Sequence, residues 1–273
     1  MSQPDPRNPY QPPQAFPTAD IPHKPAPAVS QTSLEYLRAY QYIFENPEWT
    51  TVLLWGALMA IIPVVGPLVL LGYMFFIIDA LLESKGTRYP VLDLNRFVDY
   101  LVRGVWPFLT SLVVSLVLLP VFFVLWFAAA IIPMAIAGAG GEDAAPVAGV
   151  VMVVLMLFMM LVVTVLSLAL NIVMLPLILR AGLSQDFVEA FNIAWLKDFV
   201  RKMWLDTLLA ILFLMVTSMV VVMVGYLACC IGVLFAQPIV FLAYAHILYQ
   251  LYAIYLTRGG TPVLVKVKPG SFA

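Results

Sequence analysis

Charge is what this sequence has least of. Only 11% of its 273 residues are Asp, Glu, Lys or Arg, against about 25% in an ordinary soluble domain. The counterpart is a hydrophobic content of 63% and a mean hydropathy of +0.99. A soluble fold of this length has too much surface relative to its core to hide so many apolar side chains. The deficit excludes a soluble enzyme, a nucleic-acid binder and a disordered chain, and leaves a polytopic helical membrane protein. Cysteine is nearly absent as well. The two present, Cys229 and Cys230, are adjacent and supply neither a disulfide framework nor a four-ligand zinc site. HExxH, GxSxG, CxxC and Walker patterns are missing. The glycine-rich stretch Gly140-Gly141-Glu142-Asp143 has no apolar strand before it and reads as a flexible polar turn. No catalytic, metal-binding or cofactor-binding set is therefore expected, and the protein is expected not to be an enzyme.

What the sequence has instead is long uncharged runs. Trp49–Ile78 is 30 residues without a charge, Gly104–Gly141 is 38, Ala144–Leu179 is 36 and Thr207–Thr257 is 51. One span needs about 20 apolar residues, so the last run holds two spans and each middle run one. Gly66-Pro67 divides the first run into a hairpin of two short arms. At 1.5 Å per residue each arm reaches only about 25 Å, short of the roughly 30 Å hydrocarbon core. The pair either thins the bilayer or is re-entrant. Six membrane segments follow: 50–65, 67–83, 105–128, 150–179, 204–227 and 233–256.

The few charges fix an orientation. All 14 basic residues fall in four segments: Arg7, Lys24 and Arg38; Lys85, Arg88, Arg96 and Arg103; Arg180, Lys197, Arg201 and Lys202; Arg258, Lys266 and Lys268. With six spans these segments share one side, and the opposite loops hold only Glu142 and Asp143. The positive-inside rule makes the basic side, with both termini, cytoplasmic. Residues 1–31 are read as a disordered tail. They have no apolar stretch of the signal-peptide kind and carry nine prolines between Pro4 and Pro27, which favour extended, solvated backbone. Such a tail is a flexible leader or a ligand for an SH3-like partner. Residues 32–258 form the membrane domain and 259–273 a cytoplasmic tail.

Each odd-numbered span has an amphipathic lead-in. The first starts at Thr32 with Glu35 three residues on, a capping-box pattern, and Asn46-Pro47-Glu48 reads as the N-cap of span one. The second starts at Asp93, with Leu94, Phe97, Val98, Leu101 and Val105 as its apolar stripe. The third starts near Ser184, with Phe187, Val188, Phe191, Trp195, Phe199 and Met203. Such helices lie in the headgroup layer. The lead-ins end near Trp49, Trp106 and Trp204, interfacial anchors of the aromatic belt. Arg103 precedes Trp106 by three residues, as Arg201 precedes Trp204, and these arginines are read as anchors too. The pattern suggests three tandem amphipathic-helix-plus-hairpin units, 32–83, 92–180 and 184–257. The alternative is that any interfacial helix entering a membrane looks this way.

Four intramembrane polar positions stand out: Asp79, Asn171, His246 and Gln250. Intramembrane carboxylates are costly and often functional, but Asp79 lies near a span end, where pairing with a basic residue is the favoured reading. His246 and Gln250, four residues apart, make either a proton relay or, preferably, a structural hydrogen bond. Asn171 continues a small and polar stripe with Thr164 and Ser167, read as helix packing, as are Ser111 and Ser115. Prolines 107, 120, 133, 176 and 238 can kink their helices. Cys229-Cys230 reads as two small residues in an outer turn rather than a vicinal disulfide.

Trp49 leading into Ala57–Pro67, then Gly66-Pro67-Leu68, Gly72-Tyr73 and a basic stretch with Gly86, Pro90 and Asp93, resembles the DUF4013 family of prokaryotic membrane proteins. Gly225-Tyr226, Ile231-Gly232, Pro238, His246 and Gln250 are similar to the end of that domain. The resemblance runs over about 34–258 and is weaker over 105–179. It implies an integral membrane protein of a prokaryotic inner membrane, of uncharacterised function, and supplies no catalytic residues.

The sequence thus leads to an all-α, polytopic transmembrane helical bundle of about six spans with cytoplasmic interfacial amphipathic helices. A non-enzymatic scaffold or partner-binding subunit is the expected role. Its expected partners are the lipid bilayer and a membrane protein or further copies of the chain, without nucleic acid. The alternative is a transporter or channel for a small solute or lipid, which requires a mid-membrane cavity reaching Asp79, His246 and Gln250.

Overall fold

Prolines, glycines and Asx caps punctuate the chain into helices. A computed structural model describes residues 31–87, 90–228 and 231–264. The proline-rich tail, Cys229-Cys230 and the last nine residues lie outside the described part, and within 129–148 only some side chains belong to it. The order is α1 Arg38–Glu45, α2 Trp49–Ile61, α3 Val65–Ser84, a 3-10 turn Leu94–Arg96, α4 Phe97–Ser184, α5 Phe187–Ala190, α6 Ile193–Leu227 and α7 Ile231–Thr257. The fold is all-α, with no strand among the described residues.

The first hairpin turns at Ile62–Val64 rather than at Gly66-Pro67. Ile62 precedes Pro63 and is extended, at φ −84° and ψ 109°, as the proline ring requires of its neighbour. Val64 then takes φ 66°, a conformation that a β-branched residue adopts at a cost of about 1–3 kcal/mol. Pro67 sits in the first turn of α3, where its missing N–H would have had no helical acceptor. α2 has 13 residues, about 20 Å, and is too short to span. Among the described residues, the helical stretches long and apolar enough to cross a membrane are Val65–Ser84, Leu94–Ala128, Gly149–Ser184, Ile193–Leu227 and Gly232–Thr257.

α4 is helical for 88 residues, yet it is not a rod. A straight helix would hold Arg103 and Gly182 roughly 120 Å apart; instead Arg103 Nε donates to Gly182 O over 3.3 Å. The helix therefore folds back on itself in the stretch joining its two apolar limbs, 94–128 and 149–184. Gly140–Asp143, expected as a non-helical turn, has helical backbone, so the reversal is made by helical segments rather than by an open loop.

Only the base of this hairpin is embedded in the rest of the protein. α3 and the start of α4 cross backbone to backbone: a Cβ on Gly72 would lie 1.7 Å from Tyr100 O, and one on Gly104 would lie 1.8 Å from Leu68 O. Glycine is needed at both positions for that approach. Tyr100 is buried there between Tyr73 and Phe76. From Ser111 to Met174, by contrast, none of the described side chains of the hairpin is buried.

The expected surface helices are placed differently. α1 begins at Arg38 without a side-chain cap, so the Thr32–Glu35 capping box does not form. Ala39, Tyr42 and Ile43 are buried and α1 lies along α7, reaching α6 through Tyr40, whose Oη donates to Thr217 Oγ1 at 2.7 Å. Asn46 Oδ1 accepts from Glu48 N–H, two residues ahead of the assigned N-cap of α2. The second lead-in is simply the first turns of α4, and its buried face is Tyr100 and Arg103 rather than the Leu94–Val105 stripe. The third is broken in two, because Asp186 caps α5 and Asn192 Oδ1 accepts from Trp195 N–H to start α6. Trp195, Phe199 and Met203 of its stripe are buried as the spacing requires, while Val188 is exposed.

Candidate functional site

Three polar arrangements form between the helices, and they divide the expected site residues among them. The first closes the base of the α4 hairpin. Asp79 on α3 accepts from Arg103 Nη1 at 2.6 Å, and the guanidinium lies over the rings of Phe75 and Phe76, 5.8 and 5.2 Å from their centroids. Arg103 is 5% exposed, so it is an internal tie rather than an anchor reaching for the headgroups. Its Nη2 has no hydrogen-bond partner. Removing either member of such a pair leaves a buried charge uncompensated.

The second arrangement pins the N-terminal segment to α7. Gln250 is fully buried. Its Oε1 accepts from Glu35 N–H at 2.7 Å and from Gln31 Nε2 at 2.9 Å. Its Nε2 donates to Glu35 O at 3.1 Å and meets His246 Nδ1 at 2.8 Å. The Glu35 amide can only donate, which fixes the orientation of the Gln250 amide. His246 Nδ1 is then the acceptor and the ring proton sits on Nε2. The ring packs against Tyr42 and Tyr249, with centroids 4.7 and 5.7 Å away. All four hydrogen-bonding positions of Gln250 are used, and Thr257 Oγ1 adds a bond to Gln31 O.

The third is a cavity of about 670 Å³ between the second limb of α4, α6 and α7. Asn171 lines it with Thr164 and Ser167, on one face of the α4 limb; Ser218, Gln237 and Tyr244 come from across the gap. None of the described lining side chains is charged, and Asp79, His246 and Gln250 do not reach it. Gln237 and Tyr244 escaped the sequence reading. An amide just before Pro238, in an otherwise apolar helix, was the available signal for the first; Tyr244 gave none apart from the many tyrosines of α7.

The tryptophans differ among themselves. Trp49 and Trp204 are 38% and 52% exposed, and Trp49 packs on Phe44. Trp106 is half-buried and Arg201 exposed. A tie not anticipated from sequence joins the segments near the end of α7: Trp195 Nε1 donates to Thr261 O, Arg180 lies over the Trp195 ring, and Arg258 pairs with Asp206. Arg103, Arg180, Lys202 and Arg258 thereby gather at one end of the bundle.

Helical stretches long and apolar enough to cross a membrane mark the chain as a helical membrane protein. The family described as "Protein of unknown function (DUF4013)" matches residues 55–231, more than half of the chain, and the chain belongs to that family. The match is narrower than the resemblance at 34–258: it includes 105–179, Asp79, Arg103 and Asn171, and stops short of His246 and Gln250. No curated protein and no solved structure gives a match.

Proposed function

We propose that the protein is a non-enzymatic scaffold of the cytoplasmic membrane that assembles with further copies of itself through the α4 hairpin. One observation carries the reading: the hairpin is longer than a bilayer is thick, and from Ser111 to Met174 none of its described side chains is buried against the described residues. Its uncharged runs of 38 and 36 residues correspond to about 55 Å of helix each, against a hydrocarbon core of roughly 30 Å. Tilt shortens the excess without removing it. Apolar side chains outside the hydrocarbon need a protein partner. Because the hairpin carries no charge over these runs, the surface that complements it is another uncharged helical hairpin, and a second copy supplies one by two-fold symmetry. Two hairpins side by side make a four-helix bundle.

In this reading the basic end of the bundle faces the cytoplasm. Labelling a cysteine placed at position 85 or 197 in intact cells tests that side, and reaction with an impermeant reagent from outside overturns it. Transport through Asp79, His246 and Gln250 is not supported, because those groups are engaged in internal bonds and stand apart from the cavity. Assembly is tested on the full chain in mild detergent by light scattering. A particle of at least two 30.2 kDa chains is expected, falling to one chain when Trp126→Lys and Val153→Lys charge the two limbs. A monomeric wild type, or an oligomer indifferent to both lysines, overturns the proposal.

A further inference from the structure

The cavity between α4, α6 and α7 has a feature that helix packing does not explain. Some of its polar groups are satisfied within their own helices: Thr164 Oγ1 donates to Met160 O, Asn171 Nδ2 to Ser167 O and Ser218 Oγ to Met215 O. Ser167 Oγ, the Gln237 amide and Tyr244 Oη also line the cavity, and they make no hydrogen bond to any described residue. An unpaired amide or hydroxyl in an apolar setting costs about 1–3 kcal/mol on mutational scales. In a bilayer, water is not at hand to offset that cost. Three such groups open onto one cleft, Gln237 exposed and Ser167 and Tyr244 half-buried, so that lipid is what meets them in a bilayer; Asn171 Oδ1 is free as an acceptor beside them.

We infer that this cavity binds an uncharged amphiphile, with an apolar tail among the helices and a neutral head whose carbonyl-type oxygens accept from Gln237 Nε2, Tyr244 Oη and Ser167 Oγ. Three properties select this class. The volume of about 670 Å³ falls in the range of roughly 300–1,000 Å³ usual for small-molecule sites and is too small for a whole membrane helix. The walls are mostly aliphatic and aromatic, from Val163 and Leu168 on one side to Phe241 on the other. The absence of a lining charge leaves an anionic headgroup without a counterion in a low-dielectric site. A diacylglycerol and a prenylquinone share the required chemistry, and both come from the membrane itself. The site is independent of self-assembly, because its walls belong to one chain.

The test is saturable binding to the full chain in phosphatidylcholine nanodiscs. The radiolabelled probes are dioleoylglycerol, decylubiquinone and the anionic dioleoylphosphatidic acid. About one equivalent of at least one neutral probe is expected per chain. Which neutral probe saturates identifies the source of the ligand. Gln237→Leu with Tyr244→Phe is expected to weaken it at least tenfold, while Ser111→Ala, away from the cavity, leaves it unchanged. Should the double variant unfold, Tyr244→Phe alone, which removes one hydroxyl, is expected to weaken binding severalfold. Absence of saturable binding by both neutral probes overturns the inference. So does phosphatidic acid binding as tightly as they do, or a folded Gln237 and Tyr244 variant that binds like wild type.

Discussion

α7 and the second limb of α4 as far as Leu179 are both long and uncharged, and the more apolar of the two is the one left largely uncovered. α7 is buried nearly throughout from Leu242 to Tyr255, whereas no described residue from Val147 to Met174 is. Apolarity therefore does not decide what goes inside this protein. In a bilayer the lipid tails are as good a solvent for valine and leucine as a protein core is, so helices are gathered by small residues and by hydrogen bonds. α7 offers Ala243, Ala245 and Ala253 for close approach, and His246, Gln250, Tyr252 and Tyr255 for bonding. The exposed limb offers almost none of these, apart from the Thr164–Asn171 face at the cavity.

The contrast can be broken at its strongest polar tie first. Asp79→Ala is expected to destabilise the folded chain by about 3–5 kcal/mol, because it strands the buried Arg103 charge. The double variant Asp79→Leu with Arg103→Met is expected to lose less than the single, as read from thermal midpoints in one detergent. Next is the backbone crossing. Gly104→Ala puts a methyl within 1.8 Å of Leu68 O, where relief requires moving a helix, and a loss of about 1–3 kcal/mol is expected. Gln250→Leu removes the acceptor of the Glu35 and Gln31 donors. It is expected to cost about 1–3 kcal/mol and to speed proteolysis at 31–37 before any global unfolding. Relief of the Val64 backbone by Val64→Gly is expected to raise stability by about 1 kcal/mol. At the other end of the scale, Val154→Ala on the exposed limb is expected to stay within about 0.5 kcal/mol of wild type. A large loss there would mean that the hairpin is part of the core.

Uncharged run lengths and the clustering of 14 basic residues were enough to read an all-α membrane bundle, a hairpin in the first run and the return of the chain between residues 105 and 179; of the two arms expected to be short, only α2 is, since α3 is long enough to cross. Pro63 is the breaker that ends α2, although Gly66-Pro67 carries the stronger turn signature, because a proline in the first turn of a helix breaks nothing. The amphipathic lead-ins were legible as helical periodicity but not in location. α1 has the pattern of a surface helix, and it is drawn inward by the bonds that Glu35 and Gln31 make with Gln250, more than 200 residues away. The partner of Asp79 could not be read either. Arg103 has the spacing of an interfacial anchor, and only the crossing at Gly72 and Gly104 brings it to α3. The cavity was hidden for the same reason: Asn171 was visible on its stripe, but the stripe faces Gln237 and Tyr244 only once three helices are placed side by side.

The most direct test of the division between body and hairpin is site-specific photocrosslinking of the full chain in native membranes. A benzophenone amino acid placed at Trp126 or Met156, which are 74% and 55% exposed, is compared with one at the buried Tyr252. The account predicts an adduct of twice the 30.2 kDa chain mass from both hairpin positions and only intramolecular products from Tyr252. Hairpin positions that react with lipid alone, or a two-chain adduct formed as readily from Tyr252, would contradict it.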